Sequence, residues 1–145
     1  MLVVAASGGF DPLHVGHVRY LEAAKALGDR LVVIVNGDSF LMRKKGYIFM
    51  PLQERVEIIG ALACVDEVYP FESDKDDVCD ALRAIRPAVF AKGGDRNRDN
   101  VPEMGIIMEL GIVFVDGVGG RDKPQSSSWL VDKFRRNTYG KTYVE

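Results

Sequence analysis

The chain has 145 residues, is 47% hydrophobic and 28% charged, and carries a formal charge of −2. That length fits one domain with a sizeable core, and the slightly acidic balance argues against a nucleic-acid partner, which wants a basic surface. No apolar run approaches the ~18 residues that a membrane span needs, so no membrane partner is expected.

Leu2–Ala6 is a short continuous apolar run, the pattern of a buried parallel strand. It has no basic flank, so it reads as a strand and not as a signal peptide, and a cytoplasmic location is expected. From Gly16 to about Leu27, Val18, Leu21, Ala24 and Leu27 recur at helical spacing, and Gly28 stops the helix. Arg30–Val35 is a second buried strand. Pro51 opens a helix whose apolar face holds Val56, Ile59, Leu62 and Ala63. Glu67–Phe71 is a third strand and Asp74–Ile85 a third helix. Pro87 leads into a fourth strand, a helix spans about Pro102 to Leu110, and Ile112–Val115 is the fifth strand. A last helix starts near Ser126–Ser128 and runs to about Arg136, before a polar tail over 137–145. Cys64 and Cys79 belong to no CxxC pair and read as buried free thiols.

Alternating strands and helices predict an α/β fold: a three-layer, doubly wound, Rossmann-like parallel sheet of about five strands. Such sheets bind ligands beyond the carboxyl ends of their strands. The loop after the first strand reads Ser7-Gly8-Gly9-Phe10-Asp11-Pro12-Leu13-His14-Val15-Gly16-His17. Gly8 and Gly9 let backbone approach a ligand, and the helix start after them offers free N–H groups suited to phosphate. GxGxxG is absent, which argues against a nicotinamide cofactor. His14 and His17 are three apart at a helix entrance, so both can face one ligand and donate to phosphoryl oxygens. Two histidines without a third ligand are a weak zinc signal. The fourth strand ends in Lys92-Gly93-Gly94-Asp95, where paired glycines admit a base or ribose and Asp95 can accept from it. Ser126, Ser127 and Ser128 at a helix start offer hydroxyls and N–H groups to phosphate, with Arg121 adding charge-assisted bonds.

GGFDPLHVGH resembles the signature of the cytidylyltransferase-like nucleotidyltransferases, whose core is HxGH. VRYLEAAKALGDRLVVIVNGD and PLQERVEIIGALACVDEV continue the resemblance, which covers about residues 2–135. It implies one nucleotidyltransferase domain over 1–136 that transfers a nucleoside monophosphate from an NTP to a phosphorylated acceptor and releases pyrophosphate. His14, His17, Arg121 and a lysine after the second strand, Lys44 or Lys45, would be catalytic or contact phosphate. Gly8, Gly9, Phe10, Asp11 and Gly16 would line the nucleotide pocket, and Arg55 matches a family arginine that would reach substrate or phosphate. Mg²⁺ is implied by the NTP. No metal ligand is assigned, although Asp11 is a candidate. The resemblance also implies a homodimer. KGGD resembles the heptose-phosphate adenylyltransferases, so ATP is expected over CTP, with a sugar or polyol phosphate as acceptor. The alternatives are an adenylyltransferase for a cofactor precursor such as FMN or phosphopantetheine, and a non-catalytic nucleotide-binding module. Two stretches depart from the family: Pro124 and Gln125 in the last loop, and the apolar Tyr47-Ile48-Phe49-Met50.

Overall fold

The structure is a computed structural model that describes residues 1–94, 96–120 and 125–139. Five strands, β1 (Val3–Gly8), β2 (Arg30–Asn36), β3 (Glu67–Phe71), β4 (Val89–Ala91) and β5 (Val113–Val115), form one sheet in the order β3-β2-β1-β4-β5. All four pairings are parallel. The helices are α1 (Val15–Lys25), α2 (Asp38–Lys45), α3 (Leu52–Gly60), α4 (Cys79–Ile85), α5 (Met104–Glu109) and α6 (Ser127–Tyr139).

Side chains of successive strand residues alternate between faces, and each face packs its own core. Val4, Val33 and Val35 pack with Leu21 and Ala24 of α1 and Ile59 of α3. Ala5, Ile34 and Phe90 pack with Leu82 of α4 and Ile107 of α5 on the other side. This is the expected three-layer sandwich. β1 lies between β2 and β4, so the chain leaves it in one direction and later returns on its other side. The loops after β1 and β4 therefore diverge and open a crevice between them.

Four expectations are corrected. Residues 38–45, for which the sequence predicts no element, are a helix, α2. Its polarity hides it, since Leu41 is its one buried residue. Its first N–H groups, which a helix cannot satisfy internally, are held from β3's end: Asp38 N and Ser39 N donate to the Glu72 carboxylate at 3.1 and 3.2 Å. Gly46, at φ 79°, closes it in the left-handed conformation that glycine tolerates. The helix expected from Asp74 starts instead at Cys79, whose N–H is taken by Asp77 Oδ1 at 3.0 Å. The last helix continues past Arg136 to Tyr139, and residues 140–145 of the expected tail lie outside the described ones. Cys64 and Cys79 are free, but half-buried rather than buried.

Candidate functional site

A cavity of about 330 Å³ opens at the carboxyl ends of β1 and β4, within the size range of small-molecule sites. Its floor is set by close backbone approach. A Cβ on Gly8 would stand 3.0 Å from the Phe10 ring, and one on Gly93 would stand 2.8 Å from Val118 O. Gly119, at φ 82°, runs against the α1 backbone, where a Cβ would come within 2.9 Å of Tyr20 Cα. Tyr20 ties the two central strands together: its hydroxyl donates to Ala91 O at 2.5 Å and accepts from Ser7 N at 3.3 Å. Burial raises the Tyr20 phenol above its ordinary pKa, so it stays a neutral donor.

Both histidines stand at the entrance of α1 and line the cavity. His14 caps the helix, its Nδ1 accepting from Gly16 N at 3.1 Å. His17 Nδ1 accepts from His14 N at 3.2 Å. The rings stack with centroids 3.7 Å apart, and Phe10 meets His17 edge-on at 5.0 Å. An Nδ1 that accepts carries no proton, so each neutral imidazole bears its proton on Nε2. Burial, then the neighbouring His14 and Lys45, lowers the His17 pKa to about 3. Burial and Lys45 lower that of His14. The pair is thus a fixed set of neutral N–H donors.

Cations surround them. Lys45, in the last turn of α2, lines the cavity, and its Nζ approaches Asp11 O at 3.4 Å. Burial lowers its pKa. Lys92, just past β4, holds Ser7 Oγ at 3.0 Å, and burial lowers its pKa to about 8. Arg96 completes the rim, its Nη1 donating to Asn100 O at 3.2 Å. Opposite stands the start of α6. Gln125, Ser126, Ser127 and Ser128 line the cavity there, and Ser127 Oγ donates to Pro12 O at 2.9 Å, pinning α6 to the β1–α1 loop. Ser127 is thus tied to backbone, while Ser126 and Ser128 flank it on the same wall.

Of the residues singled out in the sequence, Gly8, Phe10, Gly16, Gly93 and Gly94 also line this cavity. Lys44 does not; it borders a smaller recess alongside. Arg121 and Asp95 lie outside the described residues. Three expectations change. Gly9 does not line the cavity, and its carbonyl accepts from Arg55 Nη1 at 2.9 Å. Asp11, expected in the pocket and considered as a metal ligand, is fully buried. Its two carboxylate oxygens accept from Phe49 N and Met50 N, each at 2.6 Å, so it anchors the 47–50 segment. Arg55, expected at substrate, has no exposed surface. Its guanidinium donates to the carbonyls of Met50, Gly9 and Asn36 at 2.8, 2.9 and 2.5 Å and to Asp38 Oδ1 at 2.7 Å. A buried guanidinium needs such partners, and these leave it no reach into the cavity. Among the described residues, no three His, Cys, Asp or Glu side chains gather to hold a metal. Tyr20, Arg96 and Gly119 join the site without having been singled out. Tyr20's clue is slight, a hydroxyl on the apolar stripe of α1.

Comparison with known proteins places this geometry in context. The family model described as cytidylyltransferase-like matches residues 5–114. The chain is 48% identical over 111 residues to the bifunctional protein HldE of Streptomyces coelicolor, covering 75% of this chain and 24% of that protein. It is 38% identical over 146 residues to the protein of the same name from Geobacter metallireducens, covering 95% and 28%. The chain thus spans about a quarter of the length of these relatives. Among solved structures, a lipopolysaccharide core biosynthesis protein from Thermoplasma volcanium superposes with a TM-score of 0.66 at 33% identity, over 80% of this chain and 93% of that one.

Proposed function

The chain belongs to the cytidylyltransferase-like family of nucleotidyltransferases, and we propose that it transfers the adenylyl group of ATP to the phosphate of a sugar or polyol phosphate, releasing pyrophosphate. The observation that carries this reading is the pair of neutral imidazoles, Nδ1 occupied by backbone and Nε2 protonated, on the wall of a cavity rimmed by Lys45, Lys92 and Arg96.

The chemistry asks for donors and not for a base. An acceptor phosphate is already an anion, so no proton must leave the nucleophile. One of its oxygens attacks the α-phosphorus in line as the bond to the pyrophosphate oxygen breaks. One P–O bond forms, one breaks, and the leaving group takes the charge. Most of the catalysis then lies in positioning and charge stabilisation. Imidazoles that resist protonation make poor acids, but their Nε2–H groups can donate to oxygens whose charge grows. The lysines and Arg96 neutralise the triphosphate, and the α6 start adds N–H groups for phosphate. No carboxylate is found among the described residues that line the cavity, so Mg²⁺ would come with the ATP, held by phosphate oxygens and water. Arg121 is a proposed triphosphate contact on its resemblance alone.

ATP is favoured by the likeness of residues 92–95 to heptose-phosphate adenylyltransferases. A sugar phosphate is favoured by the same likeness and by the kinship to a protein named for lipopolysaccharide core biosynthesis. A pyrophosphate-release assay over four NTPs and a panel of phosphorylated acceptors tests the reading. Release with ATP and a sugar phosphate is expected. Preference for CTP would overturn the nucleotide assignment, and no release with any pair would overturn the reaction.

A further inference from the structure

The central ladder stops where Tyr20 stands. β1 and β4 pair from Val4 with Val89 to Ala6 with Ala91, and the pairing ends there. Continued by one rung, the same register sets Ser7 opposite Lys92. In a parallel ladder a residue's N–H bonds to the carbonyl just before its opposite number. The next bond of this ladder would therefore join Ser7 N to Ala91 O.

The Tyr20 hydroxyl takes both ends of that bond. It accepts from Ser7 N at 3.3 Å and donates to Ala91 O at 2.5 Å. An oxygen set between donor and acceptor holds them further apart than the ~2.9 Å of a direct bond. The side chain is thus a wedge in the sheet, and the crevice begins at the rung it keeps open. Ser7, Lys92 and Gly93 all line the cavity from there. Across the open rung Ser7 and Lys92 meet through side chains instead, Lys92 Nζ donating to Ser7 Oγ at 3.0 Å. Burial keeps the phenol protonated, so the donor to Ala91 is not lost to ionisation.

The wedge is itself held on two more sides. A Cβ on Gly93 would stand 3.1 Å from Tyr20 Cδ1, so the ring supports the loop after β4. The loop after β5 rests on the Tyr20 backbone at Gly119. On α1, Tyr20 follows His17 by three residues, which is about one helical turn. One side chain therefore connects the helix that carries the imidazoles to the strand ends that carry Lys92 and Gly93.

We infer that Tyr20 is a positioning residue for the nucleotide: its hydroxyl, set between Ser7 N and Ala91 O, fixes the separation of the β1 and β4 ends and so the place of Lys92 and Gly93 against the ligand. The inference rests on the proposed use of a nucleoside triphosphate. It assigns the phenol to ground-state binding and leaves the transition state to the histidines.

The test uses the full chain and Tyr20→Phe, which removes one oxygen and keeps the ring against Gly93. Calorimetry with α,β-methylene-ATP and α,β-methylene-CTP gives Kd, and pyrophosphate release over the acceptor panel gives kcat and KM. Tyr20→Phe should raise Kd and KM for the nucleotide roughly tenfold or more, the cost of one or two misplaced hydrogen bonds. Its kcat at saturating nucleotide should change little. 4-Aminophenylalanine at position 20 returns an atom to the gap and should recover most of the affinity. A merely structural tyrosine would lower the melting temperature and leave Kd as it was. Unchanged Kd in the folded variant, or a fall in kcat at unchanged Kd, would overturn the assignment, and so would failure of the wild type to bind either nucleotide. A measurement on the wild type stands even if the phenylalanine variant does not fold: the Ser7 amide should exchange as slowly as that of Ala5 within the ladder, and fast exchange there would show that the hydroxyl does not hold the strand end. If nucleotide binding depends on the Tyr20 hydroxyl while no acceptor is turned over, the wedge stands and the proposed reaction falls.

Discussion

At the scale of single residues, the histidines do two jobs that can be measured apart. If their Nε2–H groups serve oxygens that gain charge in the transition state, losing one should cost kcat roughly 10²–10³-fold, about 2.7–4 kcal/mol. His17→Ala is therefore expected to lower kcat far more than it raises the KM for ATP. His14→Ala should also forfeit the cap on Gly16 N and melt lower as well. Single-turnover kinetics beside thermal melting checks both, and a His17→Ala enzyme with normal kcat would assign His17 a structural role only.

The same burial makes His17 a source of pH-dependent stability. Its folded-state pKa, about 3, lies below the ordinary 6.5. Between those values the unfolded chain binds the proton more readily, so stability rises with pH across the window. The contribution is complete above pH 6.5 and is lost as pH falls toward about 3. His14, also lowered, adds in the same direction. Melting temperatures of wild type and His17→Asn, measured from pH 7 down to 4, should show the steeper fall in the wild type. Parallel curves would mean that the ring is not held neutral by the fold.

At the scale of elements, what could be read from sequence depended on whether an element's cause is local. β2 announces itself as RLVVIV, because buried parallel strands are continuous apolar runs. Pro51 and Gly28 mark helix ends through their own backbone chemistry. α2 has no such signature, since its start is capped by Glu72, 33 residues away from Ser39. Glu72→Ala should therefore act as the loss of a helix cap, at about 0.5–2 kcal/mol. Lys45 rides at the far end of α2, so activity should fall with the helix. Chemical denaturation and the KM for ATP are the readouts, and unchanged values in both would show that α2 stands without the cap.

At the scale of the whole molecule, the α/β class and the strand count followed from alternation, and the site's position followed from topology. His14, His17, Lys92, Gly93 and the α6 serines were legible because each sits in a short motif at a strand end or helix start. The ties that assemble those motifs were not. Tyr20 binds Ala91 across 71 residues, and Ser127 reaches Pro12 across 115. Nothing in the neighbourhood of either residue encodes its partner. Arg55 shows the same limit in reverse. The family resemblance pointed it to a ligand, and tertiary structure instead surrounds it with the molecule's own carbonyls and the Asp38 carboxylate.

That enclosed guanidinium and the Asp11 carboxylate have a consequence for how the molecule opens. Phe49 is 62% exposed, and such segments ordinarily exchange their amide protons quickly through local fluctuation. The amides of Phe49 and Met50 are bonded to a fully buried carboxylate, and Arg55 clasps the Met50 carbonyl together with those of Gly9 and Asn36. Releasing these amides means disturbing the ends of β1 and β2 together. Their deuterium uptake should therefore match that of β1 amides and not that of a surface turn. Asp11→Asn, which weakens the acceptor, should make these two amides exchange fast while β1 stays protected. Rapid uptake at residues 49 and 50 in the wild type would mean that this surface loop moves freely over the core beneath it.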